Sequence, residues 1–343
     1  MTVKKFDIIC AGLIVVDVIK EIDEYPKEGN LVHVKKITRS TGGAVPNDLL
    51  DLARMDRSLR LAAIGRVGND EYGDYVITEL EKENIDVSGI MRTETHGTAF
   101  TDVFNISGGE RTFFYYTGAN DELKFEDFNF EPNDGTIFHL AYAMSLNALD
   151  ELGSEYGTYM AKTLAHAKKA RYKTSIDIVT DVGERFKKVV PHSLRYTDYF
   201  IVNEIEASLA ADMPVRTEDG KLSVSSVRKC CEKLFELGVG ELVVIHAPEA
   251  GFAMDKSGKF YAVPSYVLPE GFIKGKTGAG DAYCCGVLYG IVKNMDIESS
   301  LELGTSAACM CMTGLGASDS MCEVEKIKEL TKDFKKRELD MNS

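Results

Sequence analysis

No apolar run in this chain is long enough to cross a bilayer. The longest, such as Ile8 to Val16, fall well short of the roughly 20 residues a spanning helix needs. A positive excess is missing too: 40 Lys and Arg against 54 Asp and Glu leave a formal net charge of −14. That balance argues against nucleic-acid and anionic-membrane partners, although a small anion needs only local positive groups and magnesium. CxxC and HExxH spacings are lacking among 8 cysteines and 6 histidines, so zinc and thioredoxin chemistry find no support in the pattern. The cysteines are scattered, with Cys230-Cys231 and Cys284-Cys285 as adjacent pairs, which suits a reducing cytoplasm. His139 and His246 lie within apolar strands, form no evident cluster and read as packing residues. The N-terminus shows no long apolar signal region, because Met1 to Lys5 leads directly into a strand-like run. Linkers, internal repeats and low-complexity tracts are also lacking.

What is present is globular. With 44% hydrophobic and 27% charged residues over 343 positions, the chain can build one large α/β domain or two smaller ones. Strand-like and helix-like stretches alternate. Phe6 to Val18 is β-rich, Pro46 to Met55 helical, Leu59 to Ile64 a strand, and Glu71 to Glu83 a helix with Asp70 as N-cap. Thr136 to Ala141 reads as a strand, Leu149 to Arg171 as one long helix, and Thr174 to Val179 as a strand. Asp198 to Val202 then opens into a helix from Glu204 to Ala210, followed by helix Val224 to Leu237 and strand Leu242 to His246. Three helices finish the chain, starting near Ala279, Glu298 and Glu323. Such alternation predicts a doubly wound, mostly parallel sheet with helices on both faces. Leu31 to Arg39 and a hairpin from Thr98 to Tyr116, turning at Ser107-Gly108-Gly109-Glu110, break the rhythm. They read either as a small β-sheet lid or as an antiparallel extension of the main sheet.

The chemistry concentrates at Thr277-Gly278-Ala279-Gly280-Asp281, which runs into the apolar stretch Ala282 to Val292. Small residues at a helix mouth leave backbone N–H groups bare, and the helix dipole adds partial positive charge there. A phosphoryl group in flight suits that mouth, and Asp281 beside it can take a proton from whatever the phosphoryl attacks. The plainer alternative is a loop closing onto a helix. A P-loop is rejected: Gly275-Lys276-Thr277 fits its end, but the glycine required five positions before the Gly-Lys pair is Glu270. Asp17 closes a buried-looking strand, where a carboxylate can accept from sugar hydroxyls or simply face solvent. Gly42-Gly43 followed by Asn47 permits close backbone approach and offers a diol both a donor and an acceptor, or else forms a turn and helix start. Asn203 and Glu206 share a helix face; they can hold magnesium through water, or form a capping box.

Taken in order, these elements resemble the ribokinase-like (PfkB-type) carbohydrate kinase family, from about Phe6 to Thr313. The 277–281 run matches the family's C-terminal signature, and Gly42-Gly43 to Asn47 with Ile64 to Asp70 and Gly73 looks like its N-terminal one. Asn203 and Glu206 fit its N-x-x-E motif, and Gly118-Ala119-Asn120 follows the hairpin as in ribokinases. The resemblance implies ATP- and magnesium-dependent phosphorylation of a small sugar or sugar derivative. Asp281 is then the general base, and Gly278, Ala279 and Gly280 form the anion hole. Asp17, Gly42, Gly43 and Asn47 hold the sugar. Thr277, Gly278 and Gly280, with Asn203 and Glu206, serve the nucleotide and its magnesium. It also implies one kinase domain over about 1–340, with lid segments near 18–41 and 96–118 that in many members build a dimer interface. A nucleoside kinase, or a weakly catalytic sugar-binding relative, are the alternatives. Ribokinases place an aspartate of a monovalent-cation site where this chain has Gly275, so such a cation is doubtful here; Lys276 follows it.

Overall fold

The first strand, β1 (Phe6–Gly12), is buried over its last five positions, and its side chains alternate between two cores: Ile9 and Ala11 in one, Ile8 and Cys10 in the other. A strand covered on both faces has no polar side, which is why its sequence reads as a continuous apolar run. The computed structural model describes residues 5–106, 111–132, 134–153, 155–180 and 183–341. The run Phe6 to Val18 is two strands rather than one, because β2 (Val15–Ile22) leaves the main sheet to pair antiparallel with β3 (Lys36–Gly42). Helix α1 (Ala44–Met55) follows, then β4 (Leu61–Gly68), α2 (Glu71–Lys82) and β5 (Asp86–Thr93). Asp70 caps α2 as expected, its side chain accepting from Gly73 N at 2.9 Å. The hairpin strands β6 (Phe100–Ile106) and β7 (Arg111–Tyr116) pair antiparallel, and β6 lies parallel to β2. The expected tip, Ser107 to Glu110, lies outside the described residues.

Strand β8 (Gly135–Ala143) returns to the main sheet. The long helix expected over Leu149 to Arg171 is instead α3 (Asn147–Asp150) and α4 (Tyr159–Lys169). Between them Gly153 and Gly157 take φ of 141° and 97°, a backbone region closed to a continuing helix, and Thr158 starts the second helix by accepting from Ala161 N. Strand β9 (Lys173–Ile178), α5 (Glu184–Leu194), β10 (Tyr199–Asn203), α6 (Glu204–Ala211), α7 (Val224–Glu236) and β11 (Leu242–His246) continue the alternation. Strands β12 (Ala250–Asp255) and β13 (Phe260–Pro264), absent like β5 from the sequence expectation, add an antiparallel edge. Helices α8 (Ala279–Val292), α9 (Ile297–Cys311) and α10 (Val324–Thr331) complete the chain.

The nine-stranded sheet runs β13-β12-β11-β10-β9-β8-β1-β4-β5, and a separate four-stranded sheet runs β3-β2-β6-β7. From β1 the chain winds one way through β4 and β5, and from β8 the other way through β9, β10 and β11. The reversal falls between β1 and β8, where ligands of open α/β sheets bind beyond the strand ends. Among the described residues, no helix is long and apolar enough to cross a membrane.

Candidate active site

Gly278 is the N-cap of helix α8, and its φ of 81° lies in the left-handed region. A Cβ there would come within 2.6 Å of Ala317 O, so glycine is required both by conformation and by space. No side chain caps this helix, which leaves its positive mouth to a ligand. One turn inside, Asp281 is buried at 5% exposure. Its carboxylate accepts from Asn47 Nδ2 at 2.8 Å and from Tyr142 Oη at 2.8 and 3.0 Å. Burial, then the negative charge of Asp48, pushes the Asp281 carboxyl up to about 7, while the Asn47 and Tyr142 donors pull it down. A carboxyl poised there exchanges protons at neutral pH, as a general base must. Tyr142, at the end of β8, was not foreseen. It takes φ of 62°, rare for a bulky residue, and this strained turn aims its hydroxyl at Asp281.

The residues expected to grip a sugar sit beside the reversal point. Asp17 on β2 is in register with Ser40 and Thr101; burial raises its carboxyl to about 6, against the Thr101 hydroxyl and the Arg111 charge, which lower it. Gly42 faces that carboxylate so closely that a Cβ would meet Asp17 Oδ2 at 2.6 Å. Gly43, with φ of 79°, then turns the chain into α1, which presents Asn47 to Asp281. Asn47 Oδ1 is buried without a partner, an acceptor left over for a hydroxyl. Asn120 of the Gly-Ala-Asn element is fully buried and clamps the link before Asp17, accepting from Ile14 N at 3.2 Å and donating to Ile14 O at 2.9 Å.

A cavity of about 330 Å³ opens next to Asp281, lined among others by Asp177, Thr180, Asn203, Glu206, Gly278 and Gly280. Asn203 and Glu206 do form a capping box: Asn203 Oδ1 accepts from Glu206 N at 2.9 Å, and Asn203 N donates to Glu206 Oε2 at 3.0 Å. The box coexists with a place on the cavity. Burial raises the Glu206 carboxyl to about 6, with the charge of Glu204 adding to it, and burial together with the charge of Glu206 pushes that of Asp177 well above the usual range. Asp177, at the end of β9, was also missed, although an aspartate closing an apolar strand is the signal that singled out Asp17. The only basic side chain on this cavity among its lining residues is His246, which burial lowers to about 4 and so keeps neutral. Three carboxylates round a space with no cation suit a hydrated magnesium ion, a hard cation that takes oxygen ligands.

An adjoining cavity of about 480 Å³ shares Asn203, His246 and Gly280 with the first and is flanked by Ile205, Pro248, Leu268, Ile273, Tyr283 and Met312, with Lys276 at its wall. Its apolar flanks and the His246 ring, 4.7 Å from that of Tyr283, suit a flat base. His246 is therefore a lining residue and not mere packing. Thr277 turns the other way: its hydroxyl accepts from Arg111 Nη1 of β7 at 3.1 Å, tying the small sheet to the helix mouth. At Gly275 a Cβ would approach Gly314 O to 2.7 Å, so an aspartate could not replace it without moving backbone. A wider depression of about 760 Å³ around Asn147, Asp150, Arg185 and Lys188 contains none of these groups.

A family model described as pfkB family carbohydrate kinase matches residues 5–323. The chain is 25% identical over 340 residues to 5-dehydro-2-deoxygluconokinase of Clostridium perfringens, covering 96% of this chain and 94% of that one. The enzyme of the same name from Bacillus subtilis is 24% identical over 339 residues, with 95% and 96% covered. Ribokinase from Thermotoga maritima superposes with a TM-score of 0.77 at 22% identity, covering 96% of this chain and all of that one. Arabidopsis thaliana ribokinase, solved with ribose and ATP, gives a TM-score of 0.75 at 20% identity over 95% and 99% of the two chains. With its parallel sheet, its small second sheet and a family match over nearly its whole length, the chain belongs to the pfkB family of carbohydrate kinases.

Proposed function

We propose that this sugar kinase transfers the terminal phosphoryl group of ATP to a hydroxyl of a small sugar or sugar derivative, with Asp281 as general base. The observation behind this reading is the buried Asp281 carboxylate at an uncapped helix mouth, aimed by Asn47 and Tyr142. In this reading the substrate hydroxyl gives its proton to Asp281 and attacks the terminal phosphorus as its bond to the bridging oxygen of the departing ADP breaks, while the 278–280 backbone receives the charge that develops on the phosphoryl oxygens. Glu206 and Asn203, with Asp177 on the same cavity, would hold magnesium through water, and the ion would neutralise phosphate charge when bound. Asp17, Gly42, Gly43 and Asn47 would hold the sugar, and the base of ATP would lie in the cavity beside Tyr283.

Within this class a keto-deoxy sugar acid such as 5-dehydro-2-deoxygluconate is the first candidate, because relatives of that name match over almost the entire chain. Arg111 supports it: the guanidinium reaches in from β7 between Thr277 and the field of Asp17, where a substrate carboxylate could meet it. A panel of 5-dehydro-2-deoxygluconate, ribose, deoxyribose and nucleosides, each with ATP and magnesium, tests the reading by ADP release. Turnover of a nucleoside alone would reassign the substrate, and no turnover of any would leave a binding protein.

A further inference from the structure

On the α1 side of the main sheet, ligand-type atoms from three distant parts of the chain converge. Cys10 of β1 and His139 of β8 are register partners in adjacent parallel strands, and both are fully buried. Asp48 of α1 reaches them from the covering helix. Its Oδ2 lies 3.7 Å from Cys10 Sγ and 3.2 Å from His139 Nε2, and the three atoms all fall within 4.8 Å of one another. A tetrahedral zinc ion, with Zn–S of about 2.3 Å and Zn–N and Zn–O of about 2.0 Å, sets its S and O ligands about 3.5 Å apart and its N and O ligands about 3.3 Å apart. The observed sulfur–oxygen and nitrogen–oxygen spacings are close to those values.

The imidazole supplies the second observation. His139 Nδ1 lies 3.0 Å from Ser175 Oγ, a partner that orients the ring. Its Nε2, fully buried, is within ion-pair distance of Asp48 yet outside hydrogen-bond geometry, so it has no hydrogen-bond partner. A ring tied at one nitrogen and bare at the other, aimed at a carboxylate and a thiol, is the arrangement of a metal-ligating histidine with its orienting neighbour. Leaving that nitrogen unmatched in a dry core would cost stability. Around it the field is acidic: both carboxylate oxygens of Asp51, one helical turn on, are buried without partners, and Cys285 Sγ lies 3.7 Å from Asp48 Oδ1.

We propose that Cys10, Asp48 and His139 form a buried structural site for a divalent transition metal, zinc being the ion that best suits one thiolate, one carboxylate and one imidazole. Binding releases the Cys10 thiol proton. The site differs in kind from the oxygen-lined cavity beside Glu206. It pins α1 to β1 and β8 next to Asn47, the residue that holds Asp281.

Full-length protein from cells grown with added zinc, purified without chelator and gel-filtered, should contain about one zinc per chain. Cys10→Ser and His139→Gln should each lower that content at least about tenfold. Protein from cobalt-grown cells should show a thiolate-to-cobalt charge-transfer band, and this wild-type reading decides the matter if the variants fail to fold. Wild-type protein with less than about a tenth of an equivalent of zinc and no such cobalt band would mean a metal-free thiol–carboxylate–imidazole cluster, and overturn the site. So would zinc retained undiminished by both folded variants.

Discussion

At the scale of single residues, the role proposed for Asp281 ties rate and stability to one proton. Asp281→Asn keeps the shape but cannot accept a proton, so kcat should fall by about 10²–10⁴ while nucleotide and sugar still bind. Retention of near wild-type kcat would remove Asp281 as the base. The same substitution tests the cost of burying the charge. The folded carboxyl titrates near 7 against 3.8 for the free group, so its contribution to stability is present at low pH and lost as pH rises through about 7. Asp281→Asn should therefore melt above wild type at pH 8, by on the order of 1–3 kcal/mol, and much nearer to it at acid pH. A general base acts in its charged form, so on the proposed reading kcat/KM should rise with pH up to about 7 and then level. Tyr142→Phe removes a donor to that carboxylate and should move the rising limb to higher pH; a limb that stays in place would show that the hydroxyl only packs. Asp281 was legible in the sequence because its neighbours are small and adjacent. Tyr142 was not, since it stands 139 positions away and its aim comes from one left-handed backbone turn.

At the scale of elements, one pair of residues combines a cap with a proposed metal role. The Asn203–Glu206 box starts α6 and also borders the acidic cavity, so cap and metal site are not exclusive. Glu206→Gln keeps one acceptor for Asn203 N and should raise the magnesium needed for half-maximal rate, with a melting temperature close to wild type. A pure cap would leave the metal dependence unchanged, because glutamine at this position also closes the box. A melt beside a magnesium titration separates them. The small sheet has its own test in Arg111, whose reach to Thr277 and Leu315 O links it to the helix mouth. Arg111→Ala should raise the sugar KM and the ratio of ATP hydrolysed to sugar phosphorylated, as closure over the substrate fails to exclude water. Unchanged values for both would make the sheet a bystander. The elements read best from sequence were those with caps and clear periodicity, such as α2 behind Asp70. Where two glycines interrupt an otherwise helical pattern, as between α3 and α4, periodicity alone ran through the break. The Cys10, Asp48 and His139 cluster was invisible for another reason: its members share no local spacing and meet only through strand register and helix packing.

At the scale of the whole molecule, alternating strands and helices foretold the parallel sheet, but its antiparallel edge escaped notice. Strands β12 and β13 are a local hairpin after β11, and a short apolar strand gives no sign of its direction until its partner is known. The second sheet poses the remaining question, because one of its outer strands, β7, is apolar where solvent should be. Phe113 and Phe114 are 55% and 57% exposed, Tyr115 and Tyr116 43% and 40%, and Ile37 on the opposite edge strand 62%. Single exposed apolar residues are ordinary, but four consecutive exposed aromatics place two on each face of one edge strand, Phe114 packing edge-on against Phe104, and water disfavours that much apolar surface. Association of two such sheets would bury it, and would also steady Arg111 on the same strand. The full-length protein is therefore expected to sediment as a dimer at micromolar concentration. Phe114→Glu places a charge in the middle of the patch and should shift it to monomer while leaving its circular dichroism unchanged. If the substrate reading is right, the monomer should also show a higher sugar KM, because the strand carrying Arg111 loses its support. A wild-type protein that sediments as a monomer at every concentration would assign these aromatics to covering the substrate rather than to a second copy of the chain.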